Sequence, residues 1–167
     1  DKIRPTNPLT RVPVLVLEDG ESLIDSHMIL EFLDGQMPPG QRLFPQAEPD
    51  RRRALKRAAL AAGIGDKAVG LFYEKRLHDQ VSDVLVSRST RQIAEGWAAL
   101  EVHYAQSGFP DTPGHDAIAV ACVWRFAREA HPGLIDDRSL PALKHLSDRL
   151  EATPAFRAIF QPFIAPA

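Results

Sequence analysis

Arg11-Val12-Pro13-Val14-Leu15-Val16-Leu17-Glu18-Asp19-Gly20-Glu21-Ser22-Leu23-Ile24-Asp25-Ser26-His27-Met28-Ile29-Leu30-Glu31-Phe32-Leu33 is the stretch whose reading decides the fold. Val14 to Leu17 is a short, β-branched apolar block, Asp19-Gly20 is a hairpin signal, and Leu23-Ile24 can pair back. Asp25-Ser26 stands where a helix would begin, with Ser26 as the expected N-cap, its hydroxyl accepting from a backbone N–H two or three residues on. Met28, Ile29, Phe32 and Leu33 then share one helical face, and Gly35 supplies the stop. The order is strand, tight turn, strand, helix. A helix start left partly free also favours an anion, because its unpaired N–H groups and the positive end of its dipole both attract a carboxylate or phosphate. Spacing alone leaves two readings of Ser26 open: a cap for its own helix, or a cap that also takes such a group. Glu21-Ser22 is a second acidic-Ser pair, but Gly20 is too close and no helical apolar face begins at Ser22.

Outward from this stretch, 167 residues hold one ordinary domain, or a small one plus a fragment. A net charge of −2 gives no reason to propose nucleic acid or an anionic membrane as partner. The basic run Arg51-Arg52-Arg53 with Lys56-Arg57 reads as a solvated helix face. No apolar run approaches the length of a membrane span and no basic-then-apolar leader opens the sequence, so a soluble protein is expected, with the cytoplasm as default location. The single cysteine, Cys122, excludes an internal disulfide and a C-x-x-C redox pair. It lies in the most apolar helix and reads as a packing residue. Six histidines, at 27, 78, 103, 115, 131 and 145, form no i, i+4 pair and have no cysteine nearby, so no zinc or other metal site is expected. Neither G-x-x-x-x-G-K-[ST] nor G-x-G-x-x-G occurs.

Residues Asp1 to Thr10 hold too many prolines for regular structure and read as a connection. After Gly35, Met37-Pro38-Pro39-Gly40 and Arg42-Leu43-Phe44-Pro45 form a proline-punctuated linker whose two large apolar residues are expected to pin it to the next domain. From Asp50 to about Arg76 the composition turns to Ala, Leu, Arg and Lys, which predicts a helix; glycines at 63, 65 and 70 leave open whether it is unbroken. Ile93, Trp97, Leu100 and Tyr104 are the apolar stripe of a second long helix. Gly114 to Phe126 is apolar nearly all round and predicts a third helix, buried on most sides. Leucines at 143, 146 and 150 mark a fourth, and Thr153-Pro154 caps and opens a short terminal one.

Asn7-Pro8, Arg11-Val12-Pro13-Val14-Leu15, Gly20 and Asp25-Ser26-x-x-Ile29 together resemble the glutathione-binding half of the glutathione S-transferase family. The resemblance implies an α/β plus all-α protein. Residues 1–37 would be a partial thioredoxin-like glutathione-binding domain, 38–48 a linker, and 49–167 an all-helical C-terminal domain. It implies a cis Val12-Pro13 peptide, with the Val12 backbone pairing with the cysteinyl part of glutathione like an added strand. Ser26 and its N–H would hold the γ-glutamyl carboxylate, and Asp25, where the family more often has Glu, would neutralise the ligand's amino group. Arg11 either reaches the glycyl carboxylate or is an exposed, solvated arginine, and both readings stay open. Tyr73, in Leu71-Phe72-Tyr73, falls on the helix that in this family lines the pocket for the electrophile. The family opens its central helix with a Ser or Thr cap followed three residues on by Asp. Here Gly114 and Ala117 take those places, and Asp116 is displaced by one.

The implied activity is attack of a glutathione thiolate on a small hydrophobic electrophile, in a homodimer, with glutathione as substrate and no metal. The rival is a non-catalytic binding or assembly module on the same fold. In the family a strand, a helix and a second strand precede this region and carry the residue that activates the thiol. The expectation is therefore a working polypeptide longer at its N-terminus, with the catalytic residue outside the residues given.

Overall fold

The apolar block and its return segment form β1 (Val14–Val16) and β2 (Ser22–Ile24), an antiparallel pair with Leu15 opposite Leu23 and Val14 opposite Ile24. A computed structural model describes residues 2–109 and 111–165. In it the loop Glu18-Asp19-Gly20 closes with Leu17 N–H donating to Glu21 O (2.8 Å) and Gly20 N–H to Leu17 O (3.0 Å). Gly20 takes φ +89°, the left-handed position such a three-residue hairpin requires and a residue without Cβ accepts freely. Asp19 Oδ1 accepts from Glu21 N–H at 2.9 Å and stiffens the same turn.

Helix α1 (Ser26–Gly35) follows β2 directly. Its cap is Asp25, which corrects the expectation for Ser26. Asp25 leaves the strand at φ 74°, ψ 130°, a non-helical conformation, and its Oδ1 accepts from His27 N–H at 2.9 Å. A cap must stand outside the helical dihedrals; Ser26 is already inside them, as the first residue of the helix. Ile29 is buried under the hairpin, whereas Met28 and Leu33 are 55% and 46% exposed. Two strands are too narrow to cover the whole apolar face predicted for this helix. Its far end is tied back by Arg42, which donates to Gly35 O and Met37 O, and by Leu43 N–H, which donates to Asp34 Oδ1. Of the pair expected to pin the linker, Phe44 is buried and Leu43 is not.

The chain divides into two compact units, 1–45 and 46–167. The second is all helix: α2 (Asp50–Leu77), α3 (Asp83–Ser107), α4 (His115–Ala130), α5 (Pro141–Glu151) and α6 (Pro154–Ile159). Glycines 63, 65 and 70 do not break α2. The stripe Ile93, Trp97, Leu100 and Tyr104 is fully buried, with Leu143, Leu146 and Leu150 of α5 in the same core. At its centre the Trp97 and Trp124 rings meet edge to face, centroids 5.3 Å apart. α3 approaches α2 at Gly96, where a Cβ would stand 2.8 Å from Ile64 Cγ1. Leu140 gives α5 no side-chain cap; Glu101 of α3 does that work, its two oxygens accepting from Ala142 and Leu143 N–H, both at 2.9 Å. No described helix is long and apolar enough to cross a membrane.

Two side chains depart from their sequence readings. Arg57, read as part of a solvated face, donates from Nε to Asp116 Oδ2 at 2.6 Å, with the two side chains only 21% and 11% exposed. The displaced Asp116 thus serves as a buried ion-pair partner at the start of α4, where Gly114 offers no side-chain cap. Cys122 is left at the surface of α4, because the helix buries Ala117, Val120, Ala121, Trp124 and Ala127 instead.

Two paired comparisons are expected to separate in chemical denaturation. Gly96→Ala overpacks the α2–α3 contact and costs about 1–3 kcal/mol, while Gly63→Ala, with open space around it, stabilises by about 0.4–1 kcal/mol. Arg57→Leu strands the Asp116 carboxylate and costs up to about 3–5 kcal/mol, whereas Arg53→Leu, on an exposed i, i+3 pair, stays within about 1 kcal/mol.

Candidate functional site

The loop before β1 is held from inside by Asn7, only 2% exposed. Its Nδ2 donates to Arg11 O (2.8 Å), its Oδ1 accepts from Leu9 N–H (3.0 Å) and its carbonyl from Thr10 N–H (2.9 Å). Thr10 adopts φ 52°, a left-handed conformation uncommon for a β-branched residue. One buried amide therefore sets where Arg11, Val12 and Pro13 emerge. Asn7-Pro8 is part of the sequence motif, but the role of a buried loop asparagine shows only through its partners.

Val12 is 72% exposed, and the Val12–Pro13 peptide is cis. In the hairpin, Leu15 and Leu17 face β2 with their N–H and C=O groups, so alternation directs those of Val14 and Val16 to the opposite edge. Val12 continues that edge. Among the described residues its backbone N–H and C=O have no hydrogen-bond partner.

One step past the Val14–Ile24 rung, Pro13 and Asp25 flank the end of the hairpin, and Ser26 follows as the first residue of α1. The structure thus brings Arg11, Val12, Pro13, Asp25 and Ser26 to one end of one unit. Asp25 spends Oδ1 on His27 N–H and keeps Oδ2 unbonded among the described residues. The Ser26 hydroxyl is exposed and likewise unbonded, beside the Ser26 and Met28 N–H groups that the Asp25 cap leaves open in the first helical turn. Strained, positive-φ residues stand on both sides, Thr10 and Asp25, a pattern that clusters where a ligand is held. Such an end can take a carboxylate at the helix start and an extended backbone along Val12.

Tyr73 belongs to the second unit, near the C-terminal end of α2, 44% exposed and edge-on to Phe72 at 5.6 Å between centroids. The Phe72 ring also meets Phe163 at 5.4 Å, so a run of aromatic groups marks this end of the helical unit.

Comparisons with known proteins point to one family. The family model described as "Glutathione S-transferase, N-terminal domain" matches residues 1–42. The chain is 32% identical over 154 residues to the "Uncharacterized GST-like protein YibF" of Escherichia coli (strain K12), covering 90% of this chain and 75% of that one. Among solved structures it resembles a glutathione S-transferase from Methylobacterium radiotolerans in complex with glutathione sulfonate, with TM-score 0.90, 29% identity, and 100% of this chain and 80% of that one covered. A glutathione transferase family member from Pseudomonas fluorescens Pf-5 with bound glutathione superposes with TM-score 0.86 at 30% identity, over 98% of this chain and 79% of that one. A two-stranded hairpin with its helix, a following all-helical unit and this set of relatives together establish that the chain belongs to the glutathione S-transferase family.

Proposed function

We propose that the first unit binds glutathione and that the protein presents the glutathione thiolate to a small hydrophobic electrophile. The observation that carries this reading is Ser26: an exposed, unbonded hydroxyl at the first position of α1, excused from capping because Asp25 already caps. The γ-glutamyl carboxylate is held by that hydroxyl and the first-turn N–H groups, where hydrogen bond and dipole favour an anion together. Asp25 Oδ2 receives the γ-glutamyl ammonium. The Val12 backbone pairs with the cysteinyl unit as a short added strand, and Arg11 offers its charge to the glycyl carboxylate. Glutathione bound in similar structures such as the Pseudomonas fluorescens protein supports a glutathione-binding function.

Tyr73 forms part of the wall for the electrophile, residues 38–48 serve as the linker between domains, and the working form is a cytoplasmic homodimer. A stable dimer requires an interface of about 1,200–2,000 Å². Light scattering at micromolar concentration is expected to return twice the chain mass, and a monomer there refutes the dimer.

Calorimetry and denaturation on two variants test the site. Ser26→Ala leaves stability within about 0.5 kcal/mol and weakens glutathione about tenfold or more, the loss of one charge-assisted hydrogen bond. Asp25→Ala removes the cap as well, lowering stability by about 0.5–2 kcal/mol. Unchanged glutathione affinity in folded Ser26→Ala overturns the assignment. Glutathione binding with no turnover across a panel of electrophiles leaves the binding site standing and replaces the enzyme with the binding module.

A further inference from the structure

The second unit carries a cleft of about 300 Å³ between α4, α5, α6 and the segment that follows α6. Its walls are aromatic: Phe126 of α4, Phe156 of α6, and Phe160 and Phe163 beyond it, with Cys122 also lining it. Phe126 and Phe163 meet edge to face at 5.6 Å. The polar side of the cleft is one cation between two anions. Arg125 is paired with Glu129 at 2.9 Å and with Glu151, and its guanidinium lies over the Phe160 ring, 3.9 Å from the centroid. Glu129 Oε2 further accepts from Phe163 N–H at 2.8 Å, which seats the segment after α6 against α4.

The two carboxylates are not equally served. Both Glu129 oxygens have partners, whereas Glu151 gives Oε2 to Arg125 and leaves Oε1 buried with no hydrogen-bond partner among the described residues. A buried carboxylate oxygen without a donor is costly, and a ligand that brings one recovers that cost. The terminal torsion of a glutamate is broad and soft, so the oxygen can turn to meet a donor in the cleft. With two carboxylates to one guanidinium, the cleft carries a local excess of negative charge. The same excess acts on Cys122: desolvation first, then the Glu151 charge, push its thiol pKa up, so at neutral pH the thiol is a neutral wall group and not a nucleophile.

We propose that this cleft is a binding site for small aromatic amines, the ring lying among Phe126, Phe156 and Phe160 and the ammonium donating to Glu151 Oε1. The volume suits a fused two-ring compound, ring contacts supply apolar burial, and aromatic faces with an anionic rim favour a cation over an anion. The site is built wholly from the helical unit, and the proposal does not rest on the glutathione reading.

The test uses the full chain and three probes of one ring system: 1-naphthylmethylamine, 1-naphthylmethanol and 1-naphthylacetate, followed by titration calorimetry and saturation-transfer NMR. The amine is expected to bind at least tenfold more tightly than the acetate, with the alcohol between, and saturating glutathione is not expected to displace it. Glu151→Gln, which keeps the side-chain shape, is expected to cost the amine about tenfold while leaving the alcohol within a factor of two to three. Cys122→Trp, which fills the cleft, abolishes binding of all three. Acetate binding equal to amine binding, displacement by glutathione, unchanged amine affinity in Glu151→Gln, or no saturation at millimolar amine each overturns the proposal. If Cys122→Trp does not fold, the Glu151→Gln comparison alone decides.

Discussion

At Asp25 the chain must pass from the end of β2 to the start of α1 with no connecting loop, and it does so at φ 74°, where a side chain is ordinarily unwelcome. With ψ 130° the residue lies outside even the left-handed helical well, and the short carboxylate offsets that strain by bonding to nearby backbone. Here that bond is the helix cap to His27 N–H. The abrupt passage puts the first turn of α1 at the open end of the hairpin, next to Val12 and Pro13, so that a strand edge and a helix N-terminus address the same volume. Asn7 imposes the matching constraint from the other side. The geometry of the candidate site thus follows from two side chains that fix backbone, one exposed and one buried.

Much of this was legible in the sequence because it follows from periodicity and turn chemistry. The hairpin around Asp19-Gly20, the stripe Ile93-Trp97-Leu100-Tyr104 and the leucines of α5 are local patterns, and local patterns survive folding. The one-residue exchange between Asp25 and Ser26 was not legible, since both are good caps and only the backbone dihedrals decide between them. Arg57 looked like its basic neighbours because its partner lies 59 residues away in sequence. Cys122 looked buried because a helix apolar on every side does not announce which side the bundle leaves open. Asn7 looked like any polar loop residue.

The start of α4 shows how the bundle compensates for a missing local device. A Ser or Thr cap with a following acid would satisfy the first turn from within; Gly114 and Ala117 cannot. Asp116 takes the first-turn position favoured by the helix dipole and draws Arg57 in from α2, tying the two helices through charge where a capping box would have acted on one helix alone. The surroundings feel it. Burial first, and then the Arg57 charge, hold His103 below its ordinary pKa, while burial and the Asp116 charge push the Tyr104 phenol well up. Both side chains are therefore neutral near pH 7, beside the charged Arg57–Asp116 pair.

The two sites described have opposite electrical preferences, and the difference comes from how each is built. The end of α1 offers unpaired N–H groups, a hydroxyl and a nearby arginine, all of which favour an anion, and its single carboxylate is already engaged in capping on one oxygen. The cleft beside α4 offers aromatic faces and one arginine held between two glutamates, so its guanidinium is fully spoken for by anions and the remaining carboxylate oxygen sets the sign. On the proposed assignments, a tripeptide with two carboxylates and one ammonium suits the first and is repelled by the second. An aromatic amine is the reverse case: it has no carboxylate to offer α1, while in the cleft its ring and its charge are both accommodated. Both proposed sites keep one carboxylate oxygen for an ammonium, Asp25 Oδ2 and Glu151 Oε1, so it is the donors for a carboxylate at α1 and the aromatic walls of the cleft that separate the two ligands.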